Sequence, residues 1–349
     1  MVDPSDANLP PADTAAPSVT VHDVAREAGV SQSAVSRAFT PGSSLAADKR
    51  ERIIAAAARL GYRPNPLARS LIRGRSGIVG VGVGNLANPF FVETLQLLSD
   101  CLDRTGLRLM LFPAQGEPSI QDVLHYRIDA LVLLSVSLSS MLATECRRAG
   151  VPIILYNRTT DQRETSCVVG DNAIGARSVA AHLLAGGHQR LAFMAGSPDA
   201  STNIEREAGF TAYLAEQGHP APLRECGHFA FDAAMAATRR LLLRPDRPDA
   251  LFCANDTMAL AAVTVARHEF GLDVGREISI VGYDDVPMAA WPGFALTSYS
   301  QPASLMVDET VRLIHALRQS PKSHEAVVCP GTLVIRGSSR PVRVEQFTR

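Results

Sequence analysis

The chain has 349 residues, room for a small domain of about 60 residues plus one large or two medium ones. Nothing in it approaches about 18 consecutive apolar residues, so no membrane-spanning helix and no membrane partner is expected. A formal net charge of −1 hides an asymmetry: between residues 19 and 75 ten Lys or Arg face four acids, leaving that segment at +6 and the remainder at −7. A compact basic module on an acidic body is the footprint of a phosphate-backbone binder.

Residues 1–18 carry Asp and repeated Pro instead of a basic stretch and an apolar run. They read as a disordered tail, not a signal peptide. The six cysteines (Cys101, Cys146, Cys167, Cys226, Cys253, Cys329) are scattered with no C-x-x-C, so reduced thiols in a cytoplasmic protein are expected. No metal or cofactor site is expected, and the nine histidines form no ligand-spaced cluster.

Thr20 and Asp23 form a T-x-x-D start, a variant of the capping box. Behind it Val21, Val24, Ala25 and Ala28 recur at helical spacing, and Gly29 ends the helix. Ser31 caps a second helix whose Ala34, Val35 and Ala38 point inward. Two short helices joined by about four residues including a Gly fit a helix-turn-helix. Gln32, Ser33 and Arg37 are left facing outward, side chains suited to base edges, although any polar helix face shares that pattern. Ile53, Ile54, Ala57 and Leu60 mark a third helix closed by Gly61. Residues 66–73 make about two turns, too short for a helix to persist alone in water.

The run VHDVAREAGVSQSAVSR, continued by LGYRPNPLARSL, resembles the head and hinge of the LacI/GalR family of bacterial transcriptional regulators. The resemblance implies contacts with double-stranded operator DNA from Thr20, Ser31, Gln32, Ser33, Ser36 and Arg37, of which Gln32, Ser33 and Arg37 read the major groove. It adds Asn65, Ala68, Arg69 and Leu71 in the hinge. There Ala68 lets two hinge helices cross closely and Leu71 acts as a wedge in the minor groove. Ala46 departs from the family, which usually has Ser at that cap, at a cost of about 0.5–2 kcal/mol to the third helix.

After residue 75 the texture changes to buried strands alternating with helices. GIVGVGVGN, LRLMLF, DALVLLS, VPIILYN, SCVVGD, RLAFMAGS, DALFCAND and EISIVGYDD read as strands. Helices are expected over 90–104, 140–149, 173–185, 204–217, 232–243, 257–269 and 302–318, with late strands over 296–300 and 332–335. This is a doubly wound α/β body long enough for two lobes.

The family tags N-P-F-F, G-D-N, G-H-Q-R, A-N-D, G-Y-D-D and Q-P stand in order along this body. They imply a periplasmic-binding-protein-like core with parallel sheets in two lobes around a cleft for a small-molecule effector, and a protein that works as a dimer. The implied division is a head at 19–64, a hinge at 65–75, a core at 76–340 and a tail at 341–349. Lobe 1 would take about 76–168 and 299–328, and lobe 2 about 169–297 and 329–340. Effector contacts are implied at Ser135, Asn157, Arg206, Asn255, Asp284 and Gln301, with stacking from Phe229 and Phe90. From the residues alone, Asn255 and Asp284 serve equally well as caps of the helices that follow, and Phe229 as core. Asn157–Arg158 stands where several sugar-binding relatives have Asp, which favours an anionic ligand over a neutral sugar.

An enzyme reading has little to stand on. GVGVGN fails the dinucleotide fingerprint because Asn85 occupies the third glycine, and no G-x-S-x-G, H-E-x-x-H or Walker A run is present. A free solute receptor would need an export signal and no basic head. The sequence therefore implies a cytoplasmic, homodimeric, effector-responsive repressor. Leu71→Ala should reduce operator bending while the heads still read their half-sites, because the wedge unstacks a base step. Unchanged bending in a gel phasing assay removes Leu71 from that role.

Overall fold

The computed structural model describes residues 19–40, 42–63, 76–113, 119–136, 138–160, 165–320 and 324–341. The tail at 1–18 and the hinge residues Asn65, Ala68, Arg69 and Leu71 lie outside the described residues. The chain divides into two units, Met1–Ser76 and Gly77–Arg349.

In the first unit three helices, α1 (Val21–Glu27), α2 (Gln32–Ala38) and α3 (Ala47–Leu60), close on Val24, Ala34, Val35, Ile53, Ala56 and Ala57. Asp23 accepts from the backbone N–H of Thr20 at 3.0 Å and from its hydroxyl at 2.7 Å, fixing the start of α1. The Ser31 hydroxyl accepts from Ala34 N at 3.3 Å and starts α2. Gly29 and Gly61 take φ of +64° and +67°, left-handed positions that glycine fills without steric cost. Ala46 offers no side-chain cap to α3. The third helix falls where expected, with its buried stripe through Ile53, Ala56 and Ala57 and Ile54 45% exposed.

The second unit holds two six-stranded sheets. The first is ordered β11-β5-β4-β3-β1-β2, from β1 (Ile78–Val83), β2 (Arg108–Pro113), β3 (Ala130–Leu134), β4 (Ile153–Tyr156), β5 (Ser166–Gly170) and β11 (Ala326–Cys329), all parallel. Its central strands β3 and β4 are apolar and buried at every position because both faces are covered. Val132 and Leu134 join a core with α4 (Pro89–Arg104) and α11 (Ala303–Gln319). Leu131 and Leu133 join the opposite core with α5 (Ile120–His125) and α6 (Ser140–Arg148).

The second sheet is ordered β12-β10-β9-β8-β6-β7, from β6 (Leu191–Ala195), β7 (Leu223–Cys226), β8 (Ala250–Cys253), β9 (Ser279–Asp284), β10 (Thr297–Ser300) and β12 (Thr332–Val334). It is parallel except for the antiparallel β10–β12 edge. Helices α7 (Asn172–Ala185) and α8 (Ser201–Glu216) pack as one pair, and α9 (Phe231–Leu242) and α10 (Asp256–His268) as another.

The chain crosses between lobes three times, after Gly170, after Ser300 and after Cys329. Each crossing lies slightly beyond the boundary expected from sequence. Val169 and Gly170 still pair with β11, Tyr299 and Ser300 still pair with β9, and Cys329 still pairs with β5. Backbone pairing continues past the point where the apolar run changes lobes. Among the described residues no helix is long and apolar enough to cross a membrane.

Gly209 brings α8 against α7, since a Cβ there would stand 2.4 Å from the Ala173 carbonyl oxygen and 2.9 Å from its Cα. Backbone cannot yield as a side chain can. Gly209→Ala gains up to about 1 kcal/mol of helix propensity, against about 1–3 kcal/mol of overpacking. The expected net is a lower urea midpoint, and a raised midpoint would show that the helix pair slides apart freely.

Candidate functional site

On the head, Gln32, Ser33 and Arg37 project from the outer face of α2 and are exposed. Arg37 Nε donates to the Ser33 carbonyl at 3.3 Å, and Gln32 Nε2 lies 2.8 Å from His22 Nδ1. Among the described residues no carboxylate lies within 4 Å of Arg37, whereas Arg26 and Arg59 are paired with Asp23 and Glu27. A free guanidinium on an exposed helix face is available for guanine or phosphate. Thr20 and Ser31 spend their hydroxyls on the helix starts, and Ser36 is half-buried.

Within the core, a cleft opens where the parallel strands of both lobes end, the usual ligand position in such sheets. Asn85, Asn88, Phe91, Ser135, Asn157 and Arg158 line it from lobe 1. Thr202, Arg206, Phe229, Asn255 and Asp284 line it from lobe 2. The lobes stand close, and the free space is about 30 Å³. Polar bonds cross the gap: Arg158 Nη1 donates to Thr202 Oγ1 at 2.8 Å, and Thr159 N to Ser201 Oγ at 3.0 Å.

Several of these residues hold left-handed backbone that disfavours side chains: Ser135 (φ 56°), Asn157 (φ 57°), Phe229 (φ 57°) and Asp284 (φ 114°). Such strain gathers where a side chain must be aimed and the surrounding sheet holds it in place. Phe229 fits because Gly196 beneath it has no Cβ, which would otherwise approach the ring to 2.0 Å.

Arg206 is 2% exposed. Its Nε donates to Asn172 Oδ1 at 2.9 Å, its Nη1 to the Ala254 carbonyl at 2.5 Å, and its guanidinium stands 3.6 Å over the Tyr283 ring. Asp284 is its nearest counter-charge at 3.6 Å. Asp284 also accepts from Gln301 Nε2 at 2.7 Å and from Asn88 Nδ2 at 3.4 Å. Burial pushes the Asp284 carboxyl up, against the opposing pull of Arg206 and these hydrogen bonds. Arg158 donates only to neutral groups, the Asn157 carbonyl, Thr202 and Ser135. Burial first, and repulsion from Arg206 second, push it down to about 10. In and beside the cleft, four buried polar atoms have no partner among the described residues: Arg206 Nη2, Asn157 Oδ1, Asn255 Nδ2 and Gln301 Oε1.

The cleft brings together the expected Ser135, Asn157, Arg206, Phe229, Asn255 and Asp284. Gln301 stands at a lobe crossing, lining with Phe90 an adjoining hollow of about 450 Å³ behind Asp284. Phe90 is a correction: its ring is packed in the lobe 1 core against Phe91 (5.4 Å) and Tyr156 (6.3 Å), and Phe91 forms the wall of the cleft. Of the two roles left open by sequence for Asn255, the cap is present, its Oδ1 accepting from Met258 N at 3.0 Å at the start of α10, while its Nδ2 in the cleft wall is unpartnered. Sequence reading missed Asn85, Asn88, Arg158 and Thr202 as lining. Asn88 lay within the N-P-F-F tag, and Arg158 beside Asn157. No group of three or more metal-ligating side chains occurs among the described residues.

A helix-turn-helix unit joined in one chain to a two-lobed core with a polar cleft defines a ligand-responsive DNA-binding transcriptional regulator. Residues 20–65 match the bacterial regulatory proteins of the lacI family, and residues 180–339 match the periplasmic binding protein-like domain. The chain is 32% identical over 310 residues to the HTH-type transcriptional regulator CelR of Thermobifida fusca, covering 84% of this chain and 90% of that one. It is also 32% identical over 311 residues to the HTH-type transcriptional regulator AscG of Escherichia coli, covering 85% and 92%. The crystal structure of the lac repressor dimer bound to operator and the anti-inducer ONPF matches with a TM-score of 0.82 at 29% identity, over 93% of this chain and 99% of that one. The protein belongs to the LacI family of bacterial regulatory proteins.

Asp284→Asn keeps the shape of the side chain but leaves Arg158 and Arg206 without a buried carboxylate. It should lower stability by on the order of 3 kcal/mol in urea denaturation at pH 7. An unchanged midpoint would mean that Asp284 is already neutral in the folded cleft.

Proposed function

We propose that this protein is a repressor that binds a roughly palindromic operator as a homodimer and is controlled by a small polar metabolite in the interlobe cleft. The observation that carries this reading is Arg158, which joins Ser135 of one lobe to Thr202 of the other across the cleft floor. A ligand that competes for those bonds changes the preferred angle between lobes. Two heads would lie in successive major grooves, with half-site centres about one helical turn apart. The effector would act by shifting the population of ordered hinges at 65–75. The lac repressor structure with operator and ONPF supports the arrangement. The protein would act in the cytoplasm, on the nucleoid when bound to DNA, with no cofactor beyond the effector.

The test is to incubate the purified protein with sheared genomic DNA from its source at about 0.15 M salt, where nonspecific binding is weak, and to sequence what is retained. A recovered palindrome supports the reading. No enriched site, with or without a cell-extract metabolite fraction, overturns it. On the recovered operator, Arg37→Ala should change preference at one base position by about 1–3 kcal/mol. An equal loss on every sequence removes Arg37 from the reading set.

A further inference from the structure

The charges in the cleft do not balance. Two guanidinium groups, Arg158 and Arg206, face one buried carboxylate, Asp284, which approaches only Arg206. Arg158 has no carboxylate within 4 Å among the described residues, and its hydrogen bonds all go to neutral oxygens. Asp199 and Glu205 act on it from farther away. Asp199 is exposed and Glu205 half-buried, so solvent screens both charges, and Glu205 accepts from Asn172 Nδ2 at 2.8 Å and from Thr159 Oγ1 at 3.3 Å instead of meeting Arg158. A buried cation without a partner is costly, so the missing charge points to what the cleft takes.

The unpartnered atoms specify the rest. Arg206 Nη2 and Asn255 Nδ2 are buried donors that need acceptors, and Asn157 Oδ1 is a buried acceptor that needs a donor. Phe229 adds an apolar ring to the same wall. We propose that the effector is a polyhydroxylated monocarboxylate, its carboxylate held by Arg158 and Arg206 and its hydroxyls by Asn157 and Asn255. This rests on the reading of the cleft as the effector site. A neutral sugar satisfies the amides but leaves one positive charge buried. A phosphate ester brings close to two negative charges and, beside Asp284, turns the excess negative. A single carboxylate matches the deficit, and its two oxygens suit guanidinium geometry.

The test is calorimetric titration of the full chain with D-gluconate, D-galactonate, D-glucuronate and D-galacturonate, against D-glucose, D-galactose and D-glucose 6-phosphate. At least one carboxylate should bind at least 30-fold tighter than its neutral parent and than the phosphate. Arg158→Gln should reduce that preference at least tenfold, while Arg158→Lys, which keeps the charge, should retain most of it. Melting curves of both variants establish that they fold, and the lysine variant decides the matter should the glutamine variant fail to. The proposal is overturned by a neutral sugar that binds as tightly as its acid, by tighter binding of the phosphate, by a preference indifferent to Arg158, or by no binding of any carboxylate. Retention of the captured operator separates the two readings. A neutral sugar that binds and alters retention leaves the effector cleft standing while the charge assignment falls. A carboxylate that binds through Arg158 without altering retention does the reverse.

Discussion

The guanidinium of Arg206 lies over the Tyr283 ring with one amino group on the Ala254 carbonyl, and the mouth of the second sheet is built around that buried charge. Ala254 follows β8 and Tyr283 belongs to β9, so one side chain ties two strand ends together. Through Nε it also holds Asn172 at the start of α7, where the chain has just entered lobe 2. A cation in that position requires a counter-charge, an aromatic face and fixed carbonyls, and each is supplied by a different element. The close approach of α7 is part of the same arrangement. A Cβ on Gly175 would stand 2.5 Å from the Tyr283 hydroxyl, so the ring beneath Arg206 depends on a helix with no side chain at that point.

The sheets supply the stability and the strand ends supply the aim. Ser135, Asn157 and Asp284 each adopt backbone that glycine would adopt more easily, at a cost of order 1–3 kcal/mol apiece. The cores behind them, with Val132 and Leu134 on one face of the first sheet and Phe193, Phe252 and Tyr283 in the second, are large enough to hold that strain. Asp256 has a related structural part. It accepts from the Ser298 hydroxyl at 2.6 Å and from Val286 N at 2.9 Å, clamping the turn after Asp284. Burial first, and repulsion from Asp284 second, push its carboxyl well above the usual range, against the pull of these two hydrogen bonds.

Much of this was legible in the sequence where local chemistry determines structure. Thr20, Ser31 and Gly61 announce the helix ends of the head, and the apolar runs announce the central strands. Edge strands were harder. LREC at β7 carries no apolar run and AVVC at β11 only a four-residue one, both are partly exposed, and only their sheet neighbours define them. Helical spacing permits either Ile53 or Ile54 to face inward, and the packing of α1 and α2 decides for Ile53. Phe90 and Phe91 present the same ambiguity at the start of α4. Arg158 is visible in sequence as an oddity, but its bond to Thr202 joins lobes 44 positions apart in the chain and only the folded core reveals it.

The three lobe crossings lie side by side, because β5 pairs with β11 in one sheet and β10 with β12 in the other. A single linker would let two bodies swivel in any direction. Three parallel straps behave more like a leaf spring, compliant to bending across their width and stiff to twist and shear. Gln301, on one strap, reaches Asp284 in the cleft. In a body strapped this way, contact chemistry at the strand ends would be converted into motion along one coordinate, with little of a ligand's effect dissipated in directions that the rest of the molecule does not read.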